Sequence, residues 1–389
     1  MVVFPRDIVI MSAARTPIGK YGGAFKDMHP AELGAVAARA AIERARLKPS
    51  DVEEVWIGHA RQAGSGPNPG RQVGHRAGVQ HTAPAQTINK ACASGLQAIV
   101  SGAQSIALGD SEIVLAGGIE SMSRMPYLID SIDARWGHRM GNFTLVDAMY
   151  RDGFQCPLCG QIMGETAETL AREYGISREQ SDCFALESQK KAKAAIDAGY
   201  FAREIAPVIV DRDEHPRGDT TIESLRKLAP VFGGGIITAG SSSGITDGGA
   251  ALVMASADAA RARGLEPLAK IVGWASAGVD PGIMGIGPVP AIRKLEAHTG
   301  LRADDFDLVE LNEAFAPQVL AVLKEIPISA DRLNVNGGAI ALGHPIGCTG
   351  ARIVVTLLHE LERRRAKRGL ATLCVSGGMG MAVAIERCV

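Results

Sequence analysis

Apolar and polar positions along the chain fall into a pattern that occurs twice. Near the start, Asp7–Ala13 reads as a buried strand, Ala31 to about Arg46 carries helical periodicity, and Asp51–Gly58 (DVEEVWIG) returns to a strand. Late in the chain the same order recurs: Leu268–Ala275 reads as a strand, Pro290–His298 as a helix and Asp307–Leu311 (DLVEL) as a strand.

The second part of each unit matches more closely. Ile88-Asn89 ends a short strand before a Gly/Ala-rich turn, and a helix follows whose apolar stripe is Leu96, Ile99, Val100, Ala103 and Ala107. Val335-Asn336 likewise precedes a Gly/Ala-rich turn, and the stripe of the next helix is Ala351, Val354, Val355, Leu358 and Leu361. Each helix leads to a strand closed by paired glycines, Ile113–Gly118 (IVLAGG) and Thr372–Gly378 (TLCVSGG), the latter read as the last strand. Two copies of one βα unit, packed as halves of a larger body, give an α/β fold with helix-covered sheets. The division expected is an N-terminal half over 1–265 and a C-terminal half over 266–389. Between about 121 and 246 lies an unrelated stretch with a long amphipathic helix near Arg178–Ala198, N-capped by Ser177, and a charged loop, Asp211–Asp219 (DRDEHPRGD). It reads as an insertion able to close over a site formed between the repeats.

Composition narrows the class. The 389 residues, 46% hydrophobic and 21% charged, fit a globular protein with sizeable cores. A net charge of −1 supplies no field for nucleic acid or an anionic membrane, so neither is expected as a partner. No apolar run approaches the roughly 20 residues of a membrane span. The N-terminus passes straight into the run Asp7–Met11 without a leader, and no targeting signal ends the chain; a cytoplasmic location is expected. Seven cysteines (Cys92, Cys156, Cys159, Cys183, Cys348, Cys374, Cys388) lie without framework spacing, as reduced thiols would.

Cys92, in Asn89-Lys90-Ala91-Cys92-Ala93-Ser94-Gly95, sits among small residues at a strand-to-helix junction. Free N–H groups and the positive end of a helix favour a thiolate and can hold an oxyanion. A cysteine packed as a small hydrophobe is the alternative. The matching junction of the second repeat carries His344, between Gly343 and Pro345, where it can serve as the base for that thiol or as a structural histidine. Cys374 precedes the paired glycines of its strand and either faces the same cleft or lies in the core. Asn312-Glu313 directly follows an apolar strand, a position used for sites and for helix caps.

Taken in order, Arg15-Thr16-Pro17, the Cys92 segment, Asn312-Glu313-Ala314-Phe315, the glycine-rich His344 segment and the Cys374 segment resemble the thiolase family over essentially the full length. The resemblance implies two similar halves in an αβαβα layered core with an inserted loop domain, dimers or tetramers, and no cofactor: neither a metal nor a prosthetic group, with coenzyme A thioesters as substrates. It implies that Cys92 takes the acyl group and that His344 accepts its proton. His344 and a water held by Asn312 would form one oxyanion hole, and the backbone N–H groups of Cys92 and Ser376 the other. Cys374 would remove a proton from the α-carbon of the second acetyl-CoA, in a ping-pong reaction. The insertion resembles the family's CoA-binding loop domain: Thr238–Gly244, including Ala239 and the pantetheine-contacting Ser243, and Met163–Glu168. Phe315 joins these as a substrate-lining residue. Arg135-Trp136-Gly137, Met140-Gly141 and Leu145-Val146-Asp147 resemble the branch that condenses two acetyl-CoA to acetoacetyl-CoA. Degradative action on longer or branched 3-oxoacyl chains, and a non-catalytic acyl-CoA or lipid carrier, are the competing expectations; the four catalytic side chains stand against the carrier.

Some positions depart from the family pattern. Ile162 replaces a frequent histidine, making the pocket wall more apolar. Ser376 replaces a frequent glycine, which matters only if its φ must be positive. Ser241 and Thr246 stand where asparagine is common, a change expected to affect loop packing. Cys156-Pro157-Leu158-Cys159 has the spacing of half a zinc site without a second pair. Gly64–Gly70 (GSGPNPG) resembles the family's subunit-contact loop, and Glu362–Arg368 (ERRRAKR) reads as a solvated helix end.

Overall fold

The computed structural model describes residues 4–129 and 131–388. Twelve strands run in chain order as β1 (Ile8–Arg15), β2 (Gly19–Lys20), β3 (Glu54–His59), β4 (Ala85–Ile88), β5 (Ile113–Ser121), β6 (Tyr127–Ile129), β7 (Leu145–Asp147), β8 (Thr246–Ser256), β9 (Ala269–Gly278), β10 (Leu308–Leu311), β11 (Arg368–Val375) and β12 (Met379–Arg387). The large sheet is ordered β10-β11-β12-β9-β1-β8-β5-β3-β4.

Two halves of equal design meet at a narrow seam. In the first, β3 pairs parallel with β4 and β5, and β5, β8 and β1 follow antiparallel. In the second, β10 pairs parallel with β11, and β11, β12 and β9 follow antiparallel. The equivalent of β4 is reduced to one parallel bridge, Val309 to Leu333. So the strand implied at Val335-Asn336 is absent: Asn334 takes a left-handed φ of 42° there, and the chain turns. Between β1 and β9 only Val9–Lys270 and Ile10–Ala269 pair.

Alternation along the strands builds the layers. Leu252 and Met254 of β8 and Met381 and Val383 of β12 point to a central cluster with Leu96, Ile99 and Val100 of the helix Ser94–Leu108 and Val354, Val355 and Leu358 of the helix Ile346–Arg364. Val253 and Ala255 point the other way, to the helix Pro30–Arg44. Ala382 and Ala384 face the helices Pro288–Thr299 and Ala316–Glu325. The result is helix, sheet, helix, sheet, helix. Both striped helices therefore lie in the middle layer, and the second is buried almost all round, Arg352 and Glu360 included.

Two expectations are corrected. Cys374 lies on β11, which is not the last strand; β12 follows it, and β8, a run of small buried residues, is a further strand. The charged end Glu362–Arg368 is a solvated helix end as expected, with exposed Arg363 and Arg364 reaching back to the buried carboxylate of Glu360. Ala91–Leu108 is apolar enough over 18 residues to cross a membrane by length and composition, but 72% of it is buried within the fold.

The stretch between β5 and β8 adds no strand to the large sheet. Its longest helix, Arg178–Asp197, starts at Ser177, whose side chain accepts from Gln180 N in a reciprocal capping box. Arg15 ties this stretch to the core. Its Nε donates to Glu204 Oε1 at 2.6 Å and its two Nη atoms to Asp213 at 2.7 and 2.9 Å, all three side chains buried. The guanidinium fork matches the carboxylate of Asp213 bidentately.

Candidate active site

Cys92 and His344 occupy the same place in the two repeats, each two residues ahead of the first residue of a central helix. The turn into the first helix is strained. Ala91 adopts φ 44°, held by its N–H on Asn89 Oδ1 (3.0 Å) and by Lys90 N on Ser94 Oγ (2.9 Å). Glycines let the two turns approach. A Cβ on Gly95 would lie 2.9 Å from the Gly347 carbonyl oxygen, and one on Gly118 only 2.2 Å from the same atom. Backbone thus packs directly on backbone where the halves cross.

The charge of Arg61 and the nearby N–H groups of Ser376 and of its own residue ease half-buried Cys92 toward ionisation. Burial outweighs these and pushes the thiol above its ordinary range, so the resting group is a thiol. Cys374 is fully buried and is also pushed up, first by burial and then by the proximity of Cys92. Ser376 avoids the left-handed region, while Gly377 (φ 86°) and Gly378 (φ 82°) occupy it; serine is tolerated for that reason.

His344 is buried, and its imidazole is held down to about 3 by burial first, then by Arg352 and Arg61. It is neutral, and its tautomer follows from its neighbours. The Thr349 hydroxyl donates to Pro345 O at 3.0 Å, so it can only accept from His344 Nδ1, 2.6 Å away. Nε2 is left as the basic nitrogen, with Asn312 Nδ2 at 3.5 Å.

Asn312 extends the β10 edge: its N–H donates to Thr372 O at 3.0 Å, two residues before Cys374. The N-cap of the following helix is Phe315, so Asn312 is no cap. Its Oδ1 is buried without a protein partner. Glu313, beside it, binds Ser188 Oγ (2.7 Å), Asn334 Nδ2 (2.9 Å) and Ile340 N (3.2 Å), and so joins the helix Arg178–Asp197 to the His344 segment.

The predicted CoA-contact residues divide. Met163 and half-buried Phe315 pack in one cluster with Cys374. Ile162 stands half-buried at the start of the helix Met163–Glu173, its N–H on Glu165 Oε2 at 2.8 Å. The Ser243 N–H donates to Ala314 O at 3.0 Å, and the His344 N–H to Gly244 O at 3.0 Å, so one loop is laced to both the Asn312 and His344 segments. Buried Ser241 braces that loop with its Oγ accepting from Thr238 N at 2.9 Å. Ala239 is exposed at the loop's outer turn.

Sequence reasoning missed the polar ground beneath the thiols. Glu120 Oε2 caps the second central helix through Gly347 N at 2.9 Å, and both its oxygens take Arg61 N at 3.2 Å. Buried Arg61 keeps Nε unpaired after donating to Gly153 O. His59 Nε2 lies 3.0 Å from Glu120 Oε1 without hydrogen-bond alignment. Arg352 reaches Glu310 Oε2 at 3.1 Å, and burial still pushes that carboxyl up to about 7. A histidine closing one strand and a glutamate near the end of its neighbour were the available signals, at His59 and Glu120.

Known proteins share this fold. Residues 8–258 match the family profile of the thiolase N-terminal domain and residues 265–387 that of the thiolase C-terminal domain. The chain is 50% identical to an acetyl-CoA acetyltransferase of Chromobacterium violaceum, covering 98% of this chain and 100% of that one. It is 48% identical to one of Escherichia coli, covering 98% and 99%. Among solved structures it superposes with a TM-score of 0.96 on the Bacillus anthracis acetyl-CoA acetyltransferase, at 46% identity over 98% of this chain and 99% of that one. Human mitochondrial 3-ketoacyl-CoA thiolase gives 0.97 at 44% identity over 100% of both chains. With both halves, their order and their layered fold accounted for, the chain belongs to the thiolase family.

Proposed function

We propose that the protein condenses two acetyl-CoA molecules to acetoacetyl-CoA and CoA, and runs the reverse thiolysis. What best supports this reading is Cys374 held up in part by Cys92, together with a neutral His344 whose free nitrogen is Nε2 and which feels the same Arg61 as Cys92. Near-50% identity to acetyl-CoA acetyltransferases supports the substrate.

Chemistry follows from the protonation states. His344 Nε2 takes the Cys92 proton as the sulfur attacks the thioester carbonyl. The developing oxyanion is held by N–H donors at that turn. CoA leaves, taking the proton of Cys374, and an acetyl-Cys92 thioester remains. Acylation removes the ionisable neighbour that held Cys374 up, so the Cys374 thiolate becomes easier to sustain at the step that needs it. That thiolate takes a proton from the methyl carbon of the second acetyl-CoA. The carbanion attacks acetyl-Cys92, and the released Cys92 sulfur recovers its proton from His344. Asn312 and Ser376 serve as oxyanion-stabilising positions, and Ser243, Met163, Phe315 and Ile162 as the pantetheine and acyl wall.

Relative kcat/KM values for acetoacetyl-CoA and a longer 3-oxoacyl-CoA test the assignment. Preference for chains of eight or more carbons would overturn it. It would favour a degradative reading, for which apolar Ile162 beside Met163 is the specific observation. Acetyl-CoA alone should leave an acetyl adduct on Cys92, also in Cys374→Ala, which then condenses poorly; normal condensation by that variant would remove Cys374 from the role.

A homo-oligomer is part of this proposal. The hairpin β6–β7 and its connection present Tyr127, Trp136 (81% exposed), Met140 (90% exposed) and Leu145 outward, and β4 ends the large sheet as an uncovered edge. The seven free cysteines support a reducing, cytoplasmic setting.

A further inference from the structure

The pair Cys156 and Cys159 is not used by the chemistry above, yet it lies against it. A tight loop brings the two sulfurs together: Cys156 N donates to Gln161 O at 2.8 Å, and Gly160 N to Cys156 O at 2.9 Å. The two thiols pack in one cluster and bear on each other's ionisation. Cys156 is buried in the cluster that holds Cys374, Met163, Met284 and Ala314, and half-buried Cys159 packs on its margin. The same loop reaches the Ser376 turn: Leu158 Cδ1 lies 3.8 Å from where a Cβ on Gly377, the residue next to Ser376, would stand. A metal does not account for the pair: among the described residues no group of three or more His, Cys, Asp or Glu is placed to hold an ion.

We propose that Cys156 and Cys159 are a redox-active dithiol, a site of reversible disulfide formation whose state is transmitted through Gly377 to the condensation site. Burial opposes ionisation of Cys156, but neighbouring N–H groups outweigh it and hold this thiol below its ordinary range, while burial first pushes Cys159 up. Cys92, Cys348 and Cys374 are instead held as thiols by burial, Cys348 pushed up to about 12. The oxidant class is a low-molecular-weight disulfide. The accessible Cys159 sulfur attacks it, its proton passing to the departing small thiolate, and a mixed disulfide forms with release of one small thiol. The Cys156 thiol then attacks the Cys159 sulfur, its proton passing to the second departing thiolate, and the protein disulfide forms. Two electrons pass to the small disulfide, and the two protein protons end on the two thiols released. Bonding draws in the loop whose Leu158 packs near Gly377, and shifts the turn carrying Ser376.

The test uses the full-length protein, oxidised glutathione and a thiol-blocking reagent. Trypsin cutting at Arg151 and Arg172 releases a peptide, Asp152–Arg172, that contains both cysteines and no other. The expected peptide is lighter by two hydrogens than the free dithiol, resists blocking, and returns to the dithiol with dithiothreitol. The acetoacetyl-CoA-forming rate should fall severalfold on oxidation and recover on reduction, while Cys159→Ser keeps the same rate before and after oxidant. Free thiols at both positions, a stable glutathione adduct on Cys159, or pairing of Cys156 with Cys374 would each overturn the proposal. So would an unchanged rate in the disulfide form, or equal loss in Cys159→Ser, which would place the damage at Cys92 or Cys374. The rate readout rests on the condensation assigned above; the peptide map does not, so failure of one is distinguishable from failure of the other.

Discussion

Thr349 decides which nitrogen of His344 is basic. Its hydroxyl is committed to Pro345 O, so it accepts a hydrogen bond from Nδ1–H and leaves Nε2 as the basic nitrogen. Thr349→Val removes that acceptor and costs about 1–3 kcal/mol of orientation, expected as a roughly tenfold to hundredfold fall in kcat with little change in KM. Steady-state kinetics on the purified variant checks this. Because the imidazole is held down to about 3, it stays neutral through the range where an ordinary histidine titrates. The acid limb of kcat/KM should therefore lie well below the usual histidine pKa of roughly 6.5; a limb at that value would contradict the neutral base. The same shift bears on stability. The unfolded chain binds a proton at His344 below roughly pH 6.5, and the folded chain resists until about 3. Folding is thus penalised increasingly as pH falls between those limits, and the penalty is absent above them. None of this was legible in the sequence, where Thr349 is one more hydroxyl on an apolar helix.

At the scale of elements, periodicity located both central helices because each buries a stripe against two sheets, and it placed Cys92 and His344 at their heads. It overlooked β8 and β12, whose small buried residues (Gly248, Gly249, Ala250, Ala251; Gly380, Ala382, Ala384) carry no alternation of polarity. It also implied a strand at Val335-Asn336, where the repeat has decayed to a single bridge. The polar floor of Arg61, Glu120, Arg352 and Glu310 escaped notice because its members come from four separate elements and meet only in the fold. Arg15 was seen as part of a motif; its work is the double grip on Glu204 and Asp213. Arg15→Ala leaves two buried carboxylates without their cation and should cost about 3–5 kcal/mol. Denaturant unfolding measures the loss. Looser seating of the inserted stretch should also raise KM for the CoA thioester more than it lowers kcat.

At the scale of the whole molecule, the apolar hairpin of β6 and β7 calls for a partner. Trp136→Ser combined with Met140→Ser should shift the protein to a smaller assembly while leaving each subunit folded. Analytical ultracentrifugation reads the mass, and an unchanged mass would clear the hairpin of that role. The site itself depends on both halves at once. Cys92 and His344 belong to different repeats, joined in the sheet by two residue pairs, Val9–Lys270 and Ile10–Ala269. The middle layer of helices carries the rest of the junction. Leu358→Ala there should cost about 2–5 kcal/mol in denaturant unfolding.

The glycine contacts of Gly95 and Gly118 with the Gly347 carbonyl set the spacing of the two turns by main chain alone. Nothing interchangeable lies between them. Side chains farther along the same helices can be traded over generations, and the protein will drift in robustness without altering the gap its thiol must cross. Rate and robustness are in this way inherited separately, and a lineage can explore one while the other is held still.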